Sequence, residues 1–140
     1  MKLGFYYHIP VSQKGGELYT AGYLGCFLDA LANELEELVI FMHDASPDDQ
    51  NMDYALQAKN IRYVSLGSKP HALWRTFFGW RIISPIKKEL ADCDLMLVRG
   101  PTHLLHAWST TCQSANLTMI PLLVGDYQAG NANLSFTFPK

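Results

Sequence analysis

Short, almost purely apolar segments recur along the chain and alternate with longer segments in which apolar residues return every three or four positions. Near-continuous apolarity is typical of a strand that is buried on both faces of a parallel sheet. The third such segment carries Arg62 and Ser65, which indicates an edge strand, and the fifth contains Pro121, which is rare in a central strand. The sequence thus predicts five strands: residues 2–8, 38–43, 61–66, 94–98 and 118–124.

The longer segments predict helices. From about Thr20 to Glu37, leucines lie three and four residues apart while acidic residues fill the other face. Gly22 and Gly25 inside this helix are interpreted as points of close packing, because glycine otherwise costs helix stability. Further helices are predicted over residues 54–59, 71–92 and 102–116.

The helical segment 71–92 contains a proline. Pro85 would remove a backbone hydrogen bond from the middle of a continuous helix. We therefore expect Ser84 to cap a second helix whose first turn contains Pro85.

The alternation of strands and helices predicts an α/β fold, because parallel neighbouring strands need a crossover between them. The expected architecture is a Rossmann-like three-layer sandwich with a mainly parallel five-stranded sheet in the order 3-2-1-4-5. Residues 1–140 are predicted to form a single domain. The strand order reverses between the first and fourth strands, and ligands of such sheets bind at the carboxyl ends of the strands beside that point.

Composition and charge narrow the function classes. With 140 residues and 49% hydrophobic residues, the chain has the balance of one packed domain and not of a disordered or fibrous protein. Residues 1–68 carry 4 Lys or Arg against 9 Asp or Glu, whereas residues 69–140 carry 7 against 4. That basic excess is too small to indicate a nucleic-acid partner.

The three cysteines, Cys26, Cys93 and Cys112, form no C-x-x-C pair, so neither a disulfide framework nor a structural zinc site is predicted. The first residues lack the apolar segment and cleavage site of a secretory signal. No segment approaches the length of a membrane span. We interpret the chain as cytoplasmic.

The switch-point rule selects three loops as candidate ligand sites, after the first, fourth and fifth strands: residues 8–20, 99–103 and 125–127. In the first, Gly15 and Gly16 are predicted to lie just before a helix N-terminus, where backbone N–H groups favour an anion. Neither the dinucleotide fingerprint nor the P-loop surrounds them. A flexible turn with positive φ is therefore an equally good interpretation.

Arg99 ends a predicted strand, and its planar guanidinium suits a carboxylate or phosphate; an ion pair with Asp126 is the alternative. Asp126 could orient a hydroxyl or a base, or cap a turn. His103 and His106 lie three residues apart on a predicted helix, but no third ligand has suitable spacing. No metal site is therefore predicted.

Residues 73–88 combine aromatic and aliphatic side chains with four basic ones. Such a segment could rest on anionic lipid head groups, which would place the protein at the inner face of the membrane. The interpretation we prefer is a helix that covers the core and turns a basic face to solvent.

The order of these parts resembles the N-terminal domain of family 4 (group 1) glycosyltransferases, which have the GT-B fold. The resemblance covers nearly the whole chain and rests on the loop that ends in Gly-Gly, on "YLGCFLDALANELEELVIFMH", and on "DLMLVRGP" and "IPLLVGDY". It implies transfer of a sugar from a nucleoside-diphosphate sugar to a saccharide or lipid-linked acceptor, in cell-surface polysaccharide or glycolipid synthesis. No cofactor is implied. The donor is held by a C-terminal domain, absent here, so the chain alone is expected to be inactive.

The resemblance also implies roles for particular residues. Gly15 and Gly16 would approach the donor diphosphate or the sugar, and two further loops would line the acceptor side. Many relatives have a histidine where Arg99 stands, which leaves Arg99 and its neighbour His103 as the catalytic candidates. The implied acceptor-side residues are Arg99, Gly100, Pro101, Asp126 and Tyr127.

The alternative function is a non-catalytic, flavodoxin-like module that binds a nucleotide or phosphate by itself. Flavodoxins have a phosphate loop rich in Ser and Thr directly after the first strand. The segment "HIPVSQKGG" is a poor match to such a loop.

Overall fold

The structure, a computed structural model, describes residues 1–123. Its strands are β1 (Lys2–Tyr6), β2 (Ser12–Lys14), β3 (Glu17–Thr20), β4 (Glu37–Asp44), β5 (Tyr54–Ala55), β6 (Ile61–Ser68), β7 (Leu95–Gly100) and β8 (Met119–Leu123). Its α-helices are α1 (Gly22–Asn33), α2 (Ala72–Phe78), α3 (Trp80–Ile83), α4 (Lys87–Ala91) and α5 (Leu105–Ser114). A 3₁₀ turn, Ser84–Ile86, lies between α3 and α4.

Five strands form one parallel sheet in the order β6-β4-β1-β7-β8. In terms of the five predicted strands this order is 3-2-1-4-5, so the predicted Rossmann-like α/β class and strand order are confirmed. The predicted edge position of β6 is also confirmed. The candidate loop 125–127 lies outside the described residues.

The sheet is covered on both faces, which explains its near-continuous apolar strands. On one face α1 packs its buried residues Leu24 and Leu28 against β1 and β4. On the other face Trp108 of α5 packs with residues of α3 and α4 and with Tyr6 and Phe41 of the sheet. The domain is therefore a three-layer sandwich with β1 at its centre.

The segment between β1 and α1 is not the plain loop that we predicted. It forms an antiparallel hairpin of β2 and β3, with Lys14 opposite Glu17. The two residues between them, Gly15 and Gly16, have φ of 57° and 80°. Positive φ at both central residues is what the common two-residue hairpin turn requires, so glycine is suited to both positions.

The short helix predicted over residues 54–59 is wrong. Tyr54 and Ala55 form β5, which pairs with β3 and completes a small three-stranded sheet. Tyr54 lies across Gly25 of α1, where an added Cβ would stand 2.1 Å from the ring. Its hydroxyl donates to Asp29 at 2.6 Å. Contacts with α1 and β3 thus determine the conformation of this segment, and they confirm close packing at Gly25.

The predicted break near Pro85 is confirmed, but its form differs. Pro85 lies in the first turn of the 3₁₀ segment, and α4 begins two residues later, at Lys87. The prediction that Ser84 caps the second helix is wrong, because the N-cap of the 3₁₀ segment is Ile83 and that of α4 is Ile86. The other helices are shorter than predicted: α1 ends at Asn33 and α5 covers Leu105–Ser114. Within residues 1–123, no helix has the length and apolarity needed to cross a membrane.

Candidate functional site

Basic and imidazole side chains lie together at the carboxyl ends of the strands of the parallel sheet. His8 follows β1, His43 lies near the end of β4, Lys69 follows β6, and Arg99 lies near the end of β7. The carboxyl ends of parallel strands lie at the same end of the sheet, so these residues lie close together. Arg75 reaches the same place from α2, the helix that follows β6. We call Lys69, Arg75 and Arg99, with His8 and His43, the cationic cluster.

His8 lies among the three charges of the cluster. Burial lowers the pKa of its imidazole, and the positive charges of Lys69, Arg75 and Arg99 lower it further. His8 is therefore unprotonated at neutral pH. Its backbone carbonyl accepts a hydrogen bond of 3.2 Å from the Lys69 ammonium. Burial and the charge of Arg75 also lower the pKa of Lys69, so the cations repel one another.

Arg75 is the most unusual member of the cluster because it is a buried charge. Its side chain is only 9% exposed, and its Nε has no hydrogen-bond partner within residues 1–123. Next to it, the Tyr6 hydroxyl bonds the Thr102 hydroxyl at 3.1 Å. Burial raises the pKa of Tyr6, with Thr102 and Arg75 acting against the rise. Tyr6 is thus a protonated phenol beside a buried guanidinium.

Arg99 lies on the α1 side of the cluster. Its guanidinium carbon stands 4.4 Å from the ring centroid of Tyr7 and 5.6 Å from that of Phe27. These aromatic faces hold the cation by cation–π attraction but leave its hydrogen-bond donors available. The Nε atom is buried and has no acceptor within residues 1–123. The alternative partner considered above, Asp126, lies outside the described residues.

His43 is fully buried beneath the cluster. Its Nδ1 lies 3.3 Å from the Gly67 carbonyl, which can only accept, so Nδ1 carries the proton. The Nε2 atom has no hydrogen-bond partner within the described chain. Burial is the main cause that lowers the pKa of His43 to about 4. The imidazole is therefore neutral and contributes no charge to the site at neutral pH.

A surface cavity of about 420 Å³ lies beside Lys69. Its wall includes Pro10 and Ser68 and two acidic residues, Asp44 and Asp49. The Asp44 carboxylate accepts hydrogen bonds from Tyr63 and from Ser65, which fix its position. A cavity of this size suits a small ligand. Its lining offers a cation to an anionic group and carboxylates to hydroxyl groups.

The structure does not bring Gly15 and Gly16 to this edge. The prediction that they lie just before a helix N-terminus is wrong, because β3 separates them from α1. Gly16 lies beside Lys59 and Ile61, at the start of β6, whereas Lys69 follows the end of that strand. Eight residues of β6 span about 26 Å. The Gly-Gly pair is thus a hairpin turn remote from the cluster.

The other predicted site residues lie in different surroundings. Gly100 is buried at the end of β7, beside the exposed Pro101. His103 contacts α2, with its Nδ1 3.1 Å from the Thr76 hydroxyl. Within residues 1–123 no three His, Cys, Asp or Glu side chains are grouped to hold a metal ion, so His103 and His106 lack a third ligand there. Tyr127, like Asp126, lies outside the described residues.

Sequence reasoning identified Arg99 but missed Lys69 and Arg75. The rule that ligands bind at the carboxyl ends of strands also applies to β6, and there it selects Lys69, which directly follows Ser68. Only the loops beside the switch point were selected. Arg75 is one of the four basic residues of segment 73–88, and the interpretation we prefer for that segment places it on an exposed basic face. Its burial depends on how α2 packs on the sheet, which a single sequence does not reveal.

Comparison with known proteins gives no match to a protein-family model, to a curated protein or to a solved structure. Function is therefore inferred from the fold and from the cationic cluster.

Proposed function

We propose that the cationic cluster binds an anionic, phosphate-bearing ligand, and that the chain is the N-terminal domain of a GT-B glycosyltransferase. In this proposal the whole enzyme transfers a sugar from a nucleoside-diphosphate sugar to a saccharide or lipid-linked acceptor. The parallel sheet, its strand order and a ligand site at its carboxyl edge support such a role. The resemblance noted from the sequence supplies the reaction class.

The observation that carries the proposal is the buried guanidinium of Arg75. A buried charge is costly unless it is paired, yet no ion pair within residues 1–123 includes Arg75, Lys69 or Arg99. At the amino end of β6, by contrast, Arg62 donates to the carboxylates of Glu37 and Asp92, at 3.2 Å each. A phosphate or diphosphate at the cluster would supply the missing counter-charge.

The chemistry of glycosyl transfer gives such a cluster a use. The reaction passes through an oxocarbenium-like state while negative charge builds on the leaving diphosphate. Positive charges held in place before the reaction stabilise that charge without reorganising. The same cations would equally orient a phosphate on the acceptor. Neutral His8 lies among them with a basic nitrogen that can accept a proton from an acceptor hydroxyl.

Thermal-shift assays with pyrophosphate test the proposal. Pyrophosphate is expected to raise the melting temperature of the wild-type chain, and Lys69→Gln and Arg99→Gln are expected to weaken this binding. A hydrogen bond to a charged group contributes about 1.5–3 kcal/mol, which corresponds to a loss of about tenfold to a hundredfold in affinity. Neither Lys69 nor Arg99 belongs to the hydrophobic core, so replacing either side chain leaves the core intact.

Lys59→Gln is the matched control, because it removes the same charge at the opposite end of β6. Gly16→Ala tests the predicted contact of the hairpin turn with a phosphate and is expected to retain pyrophosphate binding. If Asp126 already neutralises the cluster, wild type will show no stabilisation by pyrophosphate, and Asp126→Asn will lower its melting temperature. That pair of results would contradict the proposal.

The flavodoxin-like alternative would use the same cluster, because it lies at the carboxyl ends of the parallel strands, where open α/β sheets bind ligands. Inorganic phosphate and a hexose 1-phosphate distinguish the two functions. A glycosyltransferase site is expected to bind the hexose phosphate more tightly, through the carboxylates of Asp44 and Asp49 in the adjoining cavity. Equal affinity for the two ligands, with Asp44→Asn affecting neither, would favour a simple phosphate-binding module.

A further inference from the structure

The outward surface of α2 and α3 is apolar and exposed. Leu73 is 73% exposed, Phe77 69% and Trp80 56%. Trp74 and Phe78 add two more exposed rings, whose centroids lie 5.8 Å apart. We call these five residues the aromatic face. The core-covering role that we preferred for this segment therefore does not apply to its large aromatic residues.

The segment from α2 to the 3₁₀ turn already buries a second, inward surface. Ile83 and Ile86 belong to the core, and Gly79 packs closely on α5, where an added Cβ would stand 2.8 Å from Leu104 and 3.3 Å from Ala107. The buried residue of α2 is Arg75, so the large apolar residues of this helix are its exposed ones, and a contiguous exposed apolar patch is typical of an interaction site. Here only the inward surface is covered by residues 1–123.

The charge around the aromatic face has one sign. Residues 54–88 contain no Asp or Glu. The guanidinium carbon of Arg81 lies 5.6 Å from the Phe78 ring centroid and 5.1 Å from that of Trp80. Lys87 and Lys88, also exposed, follow in the next turn. The surface thus combines aromatic side chains with a basic border.

We propose that the aromatic face docks on the surface of an anionic lipid bilayer. Exposed Trp and Phe enter the interface while Arg and Lys contact the lipid phosphates, which is the arrangement of proteins that lie on a membrane without crossing it. The basic residues Arg81, Lys87 and Lys88 suit lipid head groups of negative charge. Docking brings the cationic cluster near the membrane, because Arg75 is on the inward side of α2.

The test is flotation of the 140-residue chain with vesicles of phosphatidylcholine and phosphatidylglycerol. Wild type is expected to float with these vesicles, to bind pure phosphatidylcholine at least tenfold more weakly, and to be released by 1 M salt, at which the Debye length falls to about 3 Å. The double variant Phe77→Ser/Trp80→Ser is expected to lose at least tenfold in binding. Its circular dichroism should match wild type, since both side chains are exposed.

Tyr23→Ser is the matched control, because it removes a 60%-exposed aromatic side chain from α1, on the other face of the sheet. Arg99→Gln separates this proposal from the proposed function, since it should weaken pyrophosphate binding and leave flotation unchanged. Absence of wild-type flotation, or equal flotation of the double variant, overturns lipid docking. Wild-type dimers that the double variant abolishes, without flotation, would assign the face to contacts between copies.

Discussion

At the scale of single residues, the site is defined by charges and imidazoles at the end of the sheet, and among residues 1–123 none of its three cations forms a salt bridge. Arg75 illustrates why this arrangement could not be predicted. Its sequence neighbours Trp74 and Thr76 are exposed while Arg75 itself is buried. Only the packing of α2 against the sheet distinguishes it from the exposed Arg81. Arg99 could be predicted because the end of a parallel strand fixes its place.

The pH dependence of stability is a prediction at this scale. The pKa of His43 is about 4 in the folded protein, against 6.5 for an ordinary histidine. Because the unfolded chain binds the proton more readily, stability contributed by neutral His43 is complete above pH 6.5 and is lost as the pH falls towards 4. The melting temperature should drop across that window. The lowered pKa of His8 acts in the same direction.

His43→Asn tests this contribution, since asparagine can keep a donor to the Gly67 carbonyl but does not titrate. The variant is expected to melt at a lower temperature at pH 7 because it fills the buried site less well. Its melting temperature should change less than that of wild type between pH 6.5 and 4. Parallel curves for the two proteins would show that His43 is not the group responsible.

At the scale of elements, the hydrophobic pattern predicts strands correctly where it is long. It predicts them wrongly where tertiary contacts determine the conformation. The five strands of the sheet were predicted because both faces are buried and their segments are almost wholly apolar. The hairpin of β2 and β3 and the short β5 were not. A two-residue Gly-Gly turn is typical of a hairpin, but the polar residues that flank it do not predict strands.

The contact between Gly25 and Tyr54 gives a prediction for this small sheet. Gly25→Ala places a methyl group 2.1 Å from the Tyr54 ring, so the ring must move and the hydrogen bond from its hydroxyl to Asp29 is disturbed. Overpacking of this kind costs about 1–3 kcal/mol. Urea unfolding of Gly25→Ala, Tyr54→Ala and the double variant measures it. We expect the double variant to be less destabilised than the sum of the single ones; simple additivity would show that the two residues do not interact.

At the scale of the whole molecule, the sheet order explains where function lies. Alternating strands and helices, with right-handed crossovers, lead to the order 3-2-1-4-5 and place the carboxyl ends of four strands around one site. The sequence could therefore predict the end of the sheet at which the candidate site lies. It could not predict that one side of α2 contributes Arg75 to the cationic cluster while the other side exposes the aromatic face to solvent.

The central claim, that an anion occupies the cationic cluster, is tested most directly by NMR titration of the His8 imidazole with and without pyrophosphate. In the free protein, burial and then the charges of the surrounding cations hold the pKa of His8 below its ordinary value of 6.5. A bound anion among Lys69, Arg75 and Arg99 would offset their charge and stabilise protonated His8. The account predicts that saturating pyrophosphate raises the pKa of His8, and that Arg99→Gln reduces this rise. An unchanged pKa of His8 at saturating pyrophosphate would contradict it.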